Sequence, residues 1–144
     1  MLPDPDKPFE KQDPEILLAM CLWGEARGSG IVGMAAVACV ILNRMRLKGK
    51  TLAEVILAPK QFSSFNADDP NSSKLGYPLK HDTIQAWERC CTIARLALSG
   101  SLVDITKGAS HYYADSMLVP PRWARTDPWK ETARVGGHIF GITH

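Results

Sequence analysis

Fifteen acids are present among the 144 residues, and fourteen of them read as ordinary solvated carboxylates. Glu25 differs. It follows Cys21 by four residues and Leu22 by three, so on a helix it projects beside the apolar face rather than opposite it. Trp23 adjoins it, and Gly24 and Gly28 are expected to leave open space beside the carboxyl. Partial burial penalises the ionised form, as does the negative end of a helix dipole, and both raise a carboxyl pKa. A glutamate that keeps its proton near neutral pH is what a general acid requires. A second reading, from composition alone, makes Glu25 a solvated helix-end acid or the ion-pair partner of Arg27 or Arg44. Metal and phosphate chemistry have no visible basis: no His/Asp/Glu set has ligand spacing, no CxxC occurs, and no Gly-rich phosphate loop is present.

The elements that must position Glu25 are legible around it. Asp13-Pro14-Glu15 predicts a helix start, with an N-capping aspartate, proline at the first helical position and an acid near the positive end of the dipole. Leu17, Met20, Cys21 and Gly24 follow at helical spacing, and Gly28-Ser29-Gly30 should end that helix. A second helix is expected at once, with Ile31, Met34, Ala35, Ala38, Ile41, Leu42 and Met45 on one face. Its small residues, Gly33, Ala35, Ala36 and Ala38, would let another helix approach closely. Thr51 opens a short helix through Leu57, stopped by Pro59. Residues 60–80 read as one long irregular loop, a kind of segment that is often functional. A third strong helix runs from about His81 to Ser99 on Ile84, Trp87, Cys91, Ala94 and Leu98, with Gly100 as its C-cap. After it the helical pattern fades. His111-Tyr112-Tyr113 reads as a short strand or a turn, and His138 to Ile142 as a strand. The class predicted is mainly α (α+β), with a small extended part near the C-terminal end.

Several of these stretches carry a resemblance. Trp23-Gly-Glu-Ala-Arg-Gly28, then Gly33-Met-Ala-Ala-Val-Ala38 and Val40-Ile-Leu-Asn-Arg44, resembles the SleB-type cell wall hydrolase family of spore-cortex-lytic enzymes and phage endolysins. The likeness continues through Gln61-Phe-Ser63, Ala86-Trp87, Ala94 to Leu98, Ser110-His-Tyr-Tyr113, Pro121-Arg-Trp123 and Gly137-His-Ile-Phe140, covering roughly residues 14 to 143. It implies a lysozyme-like, lytic-transglycosylase-like single domain that cleaves the glycan strands of peptidoglycan. It also implies that the glutamate of the GEARG motif, here Glu25, is the catalytic acid. One departure stands out. The family usually has a second glutamate directly after that glycine, and this chain has Ser29, which is expected to serve as the N-cap of the next helix.

Glycoside hydrolysis ordinarily needs two carboxyl groups. Asp68 and Asp69 fall in the 60–80 loop and Asp115 follows the tyrosines, so none makes a convincing second acid. A lytic transglycosylase needs one only: its glutamate protonates the glycosidic oxygen and then deprotonates the muramoyl C6 hydroxyl, which attacks C1. That reaction, at the β-1,4 bond between N-acetylmuramic acid and N-acetylglucosamine, is the function expected. A hydrolytic muramidase with Asp68, Asp69 or Asp115 placing a water is the first alternative. A non-catalytic glycan-binding module is the second, and action on chitin the third. A sugar groove uses flat aromatic faces with amide and hydroxyl groups, which nominates Gln61, Phe62, Ser63, Tyr112, Tyr113 and Trp123 as substrate-binding residues. Phe62 and one tyrosine have core packing as an equal alternative, because adjacent strand residues face opposite ways. Trp87 is expected in the core and His138 in a structural role.

Composition sets the remaining bounds. At 45% hydrophobic residues the chain can build a core, which excludes disorder over most of its length. A formal charge of +2 gives no clustered basic footprint for nucleic acid. The longest apolar run, Ile31 to Leu42, falls short of the roughly 20 residues a membrane span needs, so no stable membrane insertion is expected. Up to Glu15 five acids face Lys7 and Lys11, a balance of −3 that leaves +5 on the rest. Residues 1–13 are therefore read as a flexible acidic, Pro-rich leader and residues 14–144 as the catalytic domain. The start lacks a signal-peptide pattern, so the expectation is a monomeric phage endolysin held in the host cytoplasm until a holin releases it to the wall or periplasm, with a related bacterial wall-remodelling enzyme whose export segment has been removed as the alternative. No cofactor is expected, and Cys21, Cys39, Cys90 and Cys91 are read as buried free thiols.

Overall fold

The computed structural model describes residues 1–59, 61–69, 72–126 and 128–143. Among the described residues, five α-helices and a three-stranded sheet make the α+β architecture. Pro14–Ala26 forms α1, and its start is as expected: the Asp13 side chain accepts from the Glu15 N–H at 3.0 Å, with Pro14 at the first helical position. Every residue from Leu17 to Trp23 is buried, so α1 is the central helix of the domain rather than an amphipathic one.

Gly30–Lys48 forms α2, which packs on α1 and on α5 (Ile84–Leu98). The single apolar face expected for α2 is corrected in two ways. Ile31 is exposed, while burial runs around the helix from Gly33 to Arg44 apart from Ala35 and Leu42, which are partly buried. The second correction is that α2 does reach the length and apolarity of a membrane span; here most of its apolar residues lie inside the domain, while Ile31, Val32 and Leu47 are exposed. Ser29 stands at the N-cap position but makes no side-chain cap bond. Its Cβ instead occupies the room beside Gly33, where an added Cβ would lie 2.8 Å away.

Leu52–Ile56 (α3) starts on a full capping box in which Thr51 and Glu54 exchange side-chain bonds to backbone N–H groups. The stretch read as an irregular loop is folded in part: 3-10 turns at Ser63–Phe65 and Ser72–Lys74 precede the one-turn helix Pro78–His81 (α4). Leu75 and Phe62 are buried, so this segment covers the core instead of leaving it. The next helix, α5, begins three residues later than expected because Thr83 caps it, accepting from the Ala86 N–H. It ends in a Schellman motif: Ser99 is the C-cap, Gly100 takes φ +77°, and the N–H groups of Gly100 and Ser101 reach the carbonyls of Ala97 and Leu96. Trp87 lies in the core, 2% exposed.

The sheet has the order β1-β3-β2, all antiparallel, from His111–Ala114 (β1), Lys130–Val135 (β2) and His138–Ile142 (β3). Strand β2 has no counterpart in the sequence reading. It is an edge strand of polar composition, Lys-Glu-Thr-Ala-Arg-Val, with a bulge between Glu131 and Ala133, so no apolar alternation marks it. Its turn into β3 is Gly136-Gly137, both at positive φ. That turn lies against α2 so closely that a Cβ on Gly136 would stand 2.7 Å from the Gly33 Cα. The small residue Gly33 thus admits a β-turn and not, as expected, another helix. Phe140, Ala109, Ala36 and Val40 form a second small core that fastens the sheet to α2.

Residues 1–13 lie on the body of the domain. Gln12 is buried, accepting from the Asp4 N–H and donating to the Asp4 and Lys7 carbonyls, while Phe9 meets Phe65 edge-on at 4.9 Å. Trp87 Nε1 donates to the Met1 carbonyl at 2.7 Å. All four cysteines are buried and free.

Candidate active site

Glu25 occupies the last turn of α1, half-buried. Its Oε1 accepts from Ser64 Oγ at 3.2 Å and from the Ser64 N–H at 3.5 Å. Ser64 lies in the 3-10 turn Ser63–Phe65 and is 3% exposed. Gly24 makes this approach possible: a Cβ there would stand 2.7 Å from Ser64 Oγ and 3.1 Å from Leu75 Cδ2. The space beside Gly24, expected open, is therefore filled by Ser64 and Leu75, and only the Gly28 side is open, with nothing within 4 Å of an added Cβ. Burial raises the Glu25 carboxyl above its ordinary range; the two Ser64 donors pull the other way, and the negative charge of Asp69 adds to the rise.

Neither arginine considered as an ion-pair partner plays that part. Arg27 pairs with Asp82 at 3.0 Å, donates to the Trp23 carbonyl and lies 3.9 Å from the centroid of the Trp23 ring. Arg44 donates from Nε to the Ser110 carbonyl and from Nη1 to Gln61 Oε1 at 3.0 Å. Next to it, Asn43 Nδ2 donates to Asp104 Oδ2 and to the Ala109 carbonyl, both at 2.9 Å. The Asn43-Arg44 pair thus ties α2 to the segment that enters β1.

Glu25 opens into a cavity of about 340 Å³. Gln61, Phe62, Ser63, Tyr112 and Trp123 line it with Glu25, and Arg44 and His111 complete the wall. Phe62 is only 2% exposed, so its ring is core packing with a share in the wall rather than an open stacking face. Tyr112 and Tyr113 point to opposite faces of β1, as strand geometry requires. Tyr112 packs on Phe140 and His138, and burial above all, with the nearby Glu25 carboxylate, keeps its phenol protonated. Tyr113 is not in the cavity wall; it sits among Trp123 at 5.9 Å and Trp129 at 6.0 Å, which themselves meet at 5.3 Å. His138 packs against Tyr112 and Phe140. Two larger hollows, of about 430 and 530 Å³, lie under the N-terminal segment without this combination of groups.

Sequence reasoning missed four of the neighbours. Ser64 follows the quoted Gln61-Phe-Ser63 block by one residue, and the signal that pointed to it is Gly24, whose missing side chain implies a close neighbour. Arg44 was read only as a possible counter-ion. His111 went unnoticed as a site residue; burial and the charges of Arg44 and Lys48 push it down to about 4, and Ser110 Oγ lies 2.9 Å from its Nδ1. Trp129 carried no local signal, since it packs across Gly141, a contact distant in sequence. Asp115 is exposed in the turn after β1, its N–H bonded to the Gly137 carbonyl. Among the described residues no group of three or more His, Cys, Asp or Glu is placed to hold a metal ion.

Comparison with known proteins places this arrangement. The model of the cell wall hydrolase family matches residues 28–141. The spore cortex-lytic enzymes of Bacillus subtilis and Oceanobacillus iheyensis are 32% and 30% identical over 132 and 131 residues, 86% of this chain in each case. The chain spans 36% and 40% of their lengths. Among solved structures, the catalytic domain of the germination-specific lytic transglycosylase SleB from Bacillus anthracis superposes with a TM-score of 0.66 at 27% identity, covering 94% of this chain and all of that domain. The catalytic domain of Bacillus cereus SleB gives 0.67 at 26% identity, covering 90% and 89%. The fold is therefore that of the SleB catalytic domains, with a lysozyme-like architecture. A central buried helix with Glu25 in its last turn, and Arg44, Gln61 and the β1 side chains gathered with it around one cavity, is thus carried on a known scaffold, and the chain belongs to the cell wall hydrolase family.

Proposed function

We propose that this protein is a peptidoglycan lytic transglycosylase that cuts the β-1,4 bond from N-acetylmuramic acid to N-acetylglucosamine, with Glu25 as its one catalytic carboxyl. The observation that carries the reading is that Glu25 is the single carboxylate among the described residues lining the cavity. The relatives' described activity, and the match in fold, support it.

In the first half of the reaction the Glu25 carboxyl gives its proton to the glycosidic oxygen as the C1–O4 bond breaks. Ser64 Oγ and N–H then stabilise the carboxylate left behind, since both already donate to Oε1. In the second half that carboxylate takes the proton of the C6 hydroxyl while O6 bonds to C1, giving a 1,6-anhydro end and restoring the protonated glutamate. No water is consumed. Gln61, Ser63, Tyr112 and Trp123 are the proposed sugar contacts, with Phe62 as wall and Tyr113 acting through Trp123. Residues 14–144 are the proposed catalytic unit.

A hydrolytic second reading has one observation in its favour, the electrostatic influence of Asp69 on Glu25. Mass spectrometry of the released muropeptides separates the two, because an anhydro end is lighter than a reducing end by one water. Anhydro ends that vanish with Glu25→Gln support the proposal; reducing ends, or release that survives Glu25→Gln, refute it. We extend the proposal to delivery, as an endolysin that a holin passes to the wall. Expression in a bacterial host with and without a holin tests it: lysis in both, or in neither, rejects that role.

A further inference from the structure

We infer that Arg44 forms, beside Glu25, a recognition site for the carboxyl-derived oxygen of the lactyl arm of muramic acid. The inference rests on peptidoglycan being the substrate and specifies how that substrate is told from other N-acetylated glycans.

Arg44 is 6% exposed, yet the ion pairs among the described residues are Arg27–Asp82 and Arg134–Glu131, and neither involves it. Buried charges are ordinarily matched by an opposite charge. Here the hydrogen-bond partners are two neutral oxygens, the Ser110 carbonyl and Gln61 Oε1, which engage Nε and Nη1, and the Phe62 ring centroid lies 5.5 Å from the guanidinium carbon. A guanidinium has five N–H donors in a planar fork, and it stays charged at any working pH. Among the described residues, no acceptor is seated on Nη2. The group lines the Glu25 cavity with His111, which is uncharged at neutral pH, so the fixed charge of this wall is positive.

That charge cannot serve the anomeric carbon. The transition state at C1 is oxocarbenium-like and positive, and a cation facing it would raise the barrier. Arg44 must therefore face a substituent, and one rich in electrons. Muramic acid differs from N-acetylglucosamine by its 3-O-lactyl arm. That arm ends in a carboxylate when bare and in an amide carbonyl when it carries a stem peptide. Both present an oxygen acceptor to a guanidinium N–H, and the carboxylate does so with charge assistance.

The test measures binding by calorimetry in the Glu25→Gln protein, which keeps glycans uncleaved, with three probes of equal length: bare glycan strands, stem-bearing strands and chitooligosaccharide. Two further substitutions are added singly. Arg44→Lys removes the fork, and Gln61→Glu sets a carboxylate where an amide oxygen now lies 3.0 Å from Nη1. The quantity read is the preference for muramoyl strands over chitooligosaccharide, which cancels any general damage to the groove. Each substitution should lower that preference by roughly tenfold or more. The fall should be greater for bare strands, and for them it should shrink as salt rises. No preference at the outset, or an unchanged preference in both substituted proteins, overturns the inference, and Gln61→Glu decides the matter if Arg44→Lys does not fold. Failure of the unsubstituted protein to release any product from peptidoglycan, with the preference intact, would refute the proposed reaction and leave the recognition site standing.

Discussion

Gly24 and Gly28 flank Glu25 in one short motif, and the structure assigns them different work. An alanine Cβ at 24 would stand 2.7 Å from Ser64 Oγ, 2.9 Å from Ser64 Cβ and 3.1 Å from Leu75 Cδ2. Serine is short and its Cβ moves only with its backbone, so the 3-10 turn must shift by several tenths of an ångström. Overpacking of that kind costs about 1–3 kcal/mol, against which glycine-to-alanine in a helix recovers about 1 kcal/mol. Gly24→Ala should therefore lose about 0–2 kcal/mol of stability, a modest change read as the urea midpoint. The effect on turnover should be larger. The Ser64 contacts to Glu25 are already long, 3.2 and 3.5 Å, and the displacement breaks them. Losing hydrogen bonds to a charged group costs about 1.5–3 kcal/mol, or roughly ten- to a hundredfold in kcat. At Gly28 an added Cβ meets nothing within 4 Å, and alanine there should be neutral or stabilising by about 0.4–1 kcal/mol. Turbidity loss of purified peptidoglycan, beside urea unfolding, reads both variants. A Gly24→Ala protein as active as Gly28→Ala would refute the claim that Gly24 exists to seat Ser64 on the proposed catalytic carboxyl.

The raised pKa of Glu25 has a consequence for stability. As pH rises, the unfolded chain releases this proton first, so the native state loses stability from the unfolded pKa, about 4.3, up through the folded one. Glu25→Gln should therefore abolish turnover yet melt higher than the parent at neutral pH, with the difference gone near pH 3; calorimetry at both pH values checks this. For His111 the sign is opposite. Its pKa falls from 6.5 to about 4, so the unfolded chain binds the proton first on acidification and stability is lost between those values. His111→Gln should flatten that part of the pH dependence of the urea midpoint, and an unchanged slope would count against the buried neutral ring. At Gly136, φ is +57° and a Cβ would stand 2.7 Å from the Gly33 Cα and 3.0 Å from the Ser29 carbonyl oxygen. Gly136→Ala should cost about 2 kcal/mol or more, and Gly137→Ala, with open space around it, about 1 kcal/mol, measured as paired melting temperatures.

How far the sequence could lead depended on whether a signal was local. Asp13, Thr51 and the helical spacing through Trp87 announced three helices because caps and periodicity act within a few residues. Strand β2 was hidden because an exposed edge strand has no apolar alternation to show. Glu25 was nominated by the apolar residues of its own helix together with the GEARG resemblance, since composition alone left a solvated or ion-paired acid open. Ser64 and Arg44 were not legible as its neighbours, because their positions are set by packing across the fold: the turn at 63–65 rests on Gly24, and Arg44 reaches β1 and Gln61. The same limit explains the misreading of Gly24 and Gly33. A small residue announces that something comes close, and only the folded chain tells whether it is a helix, a turn or a serine.

The proposed reaction asks one carboxyl to be an acid first and a base afterwards, and the two demands pull its environment in opposite directions. Burial at the end of α1 favours the protonated form, while the Ser64 donors favour the ionised form that must persist until O6 gives up its proton. Ser64→Ala keeps the backbone N–H and removes the hydroxyl, which separates these demands. The carboxyl pKa should rise further, so the loss of activity at alkaline pH, where the acid is ionised, should move to higher pH. The maximal rate should fall all the same, because the carboxylate formed midway has lost a donor. Ser64→Thr, which restores the hydroxyl, should recover both the rate and the profile wherever its extra methyl is accommodated. A merely structural serine would lower the rate without moving the profile, and a profile that stayed in place in Ser64→Ala, or moved toward acid pH, would remove Ser64 from the catalytic argument.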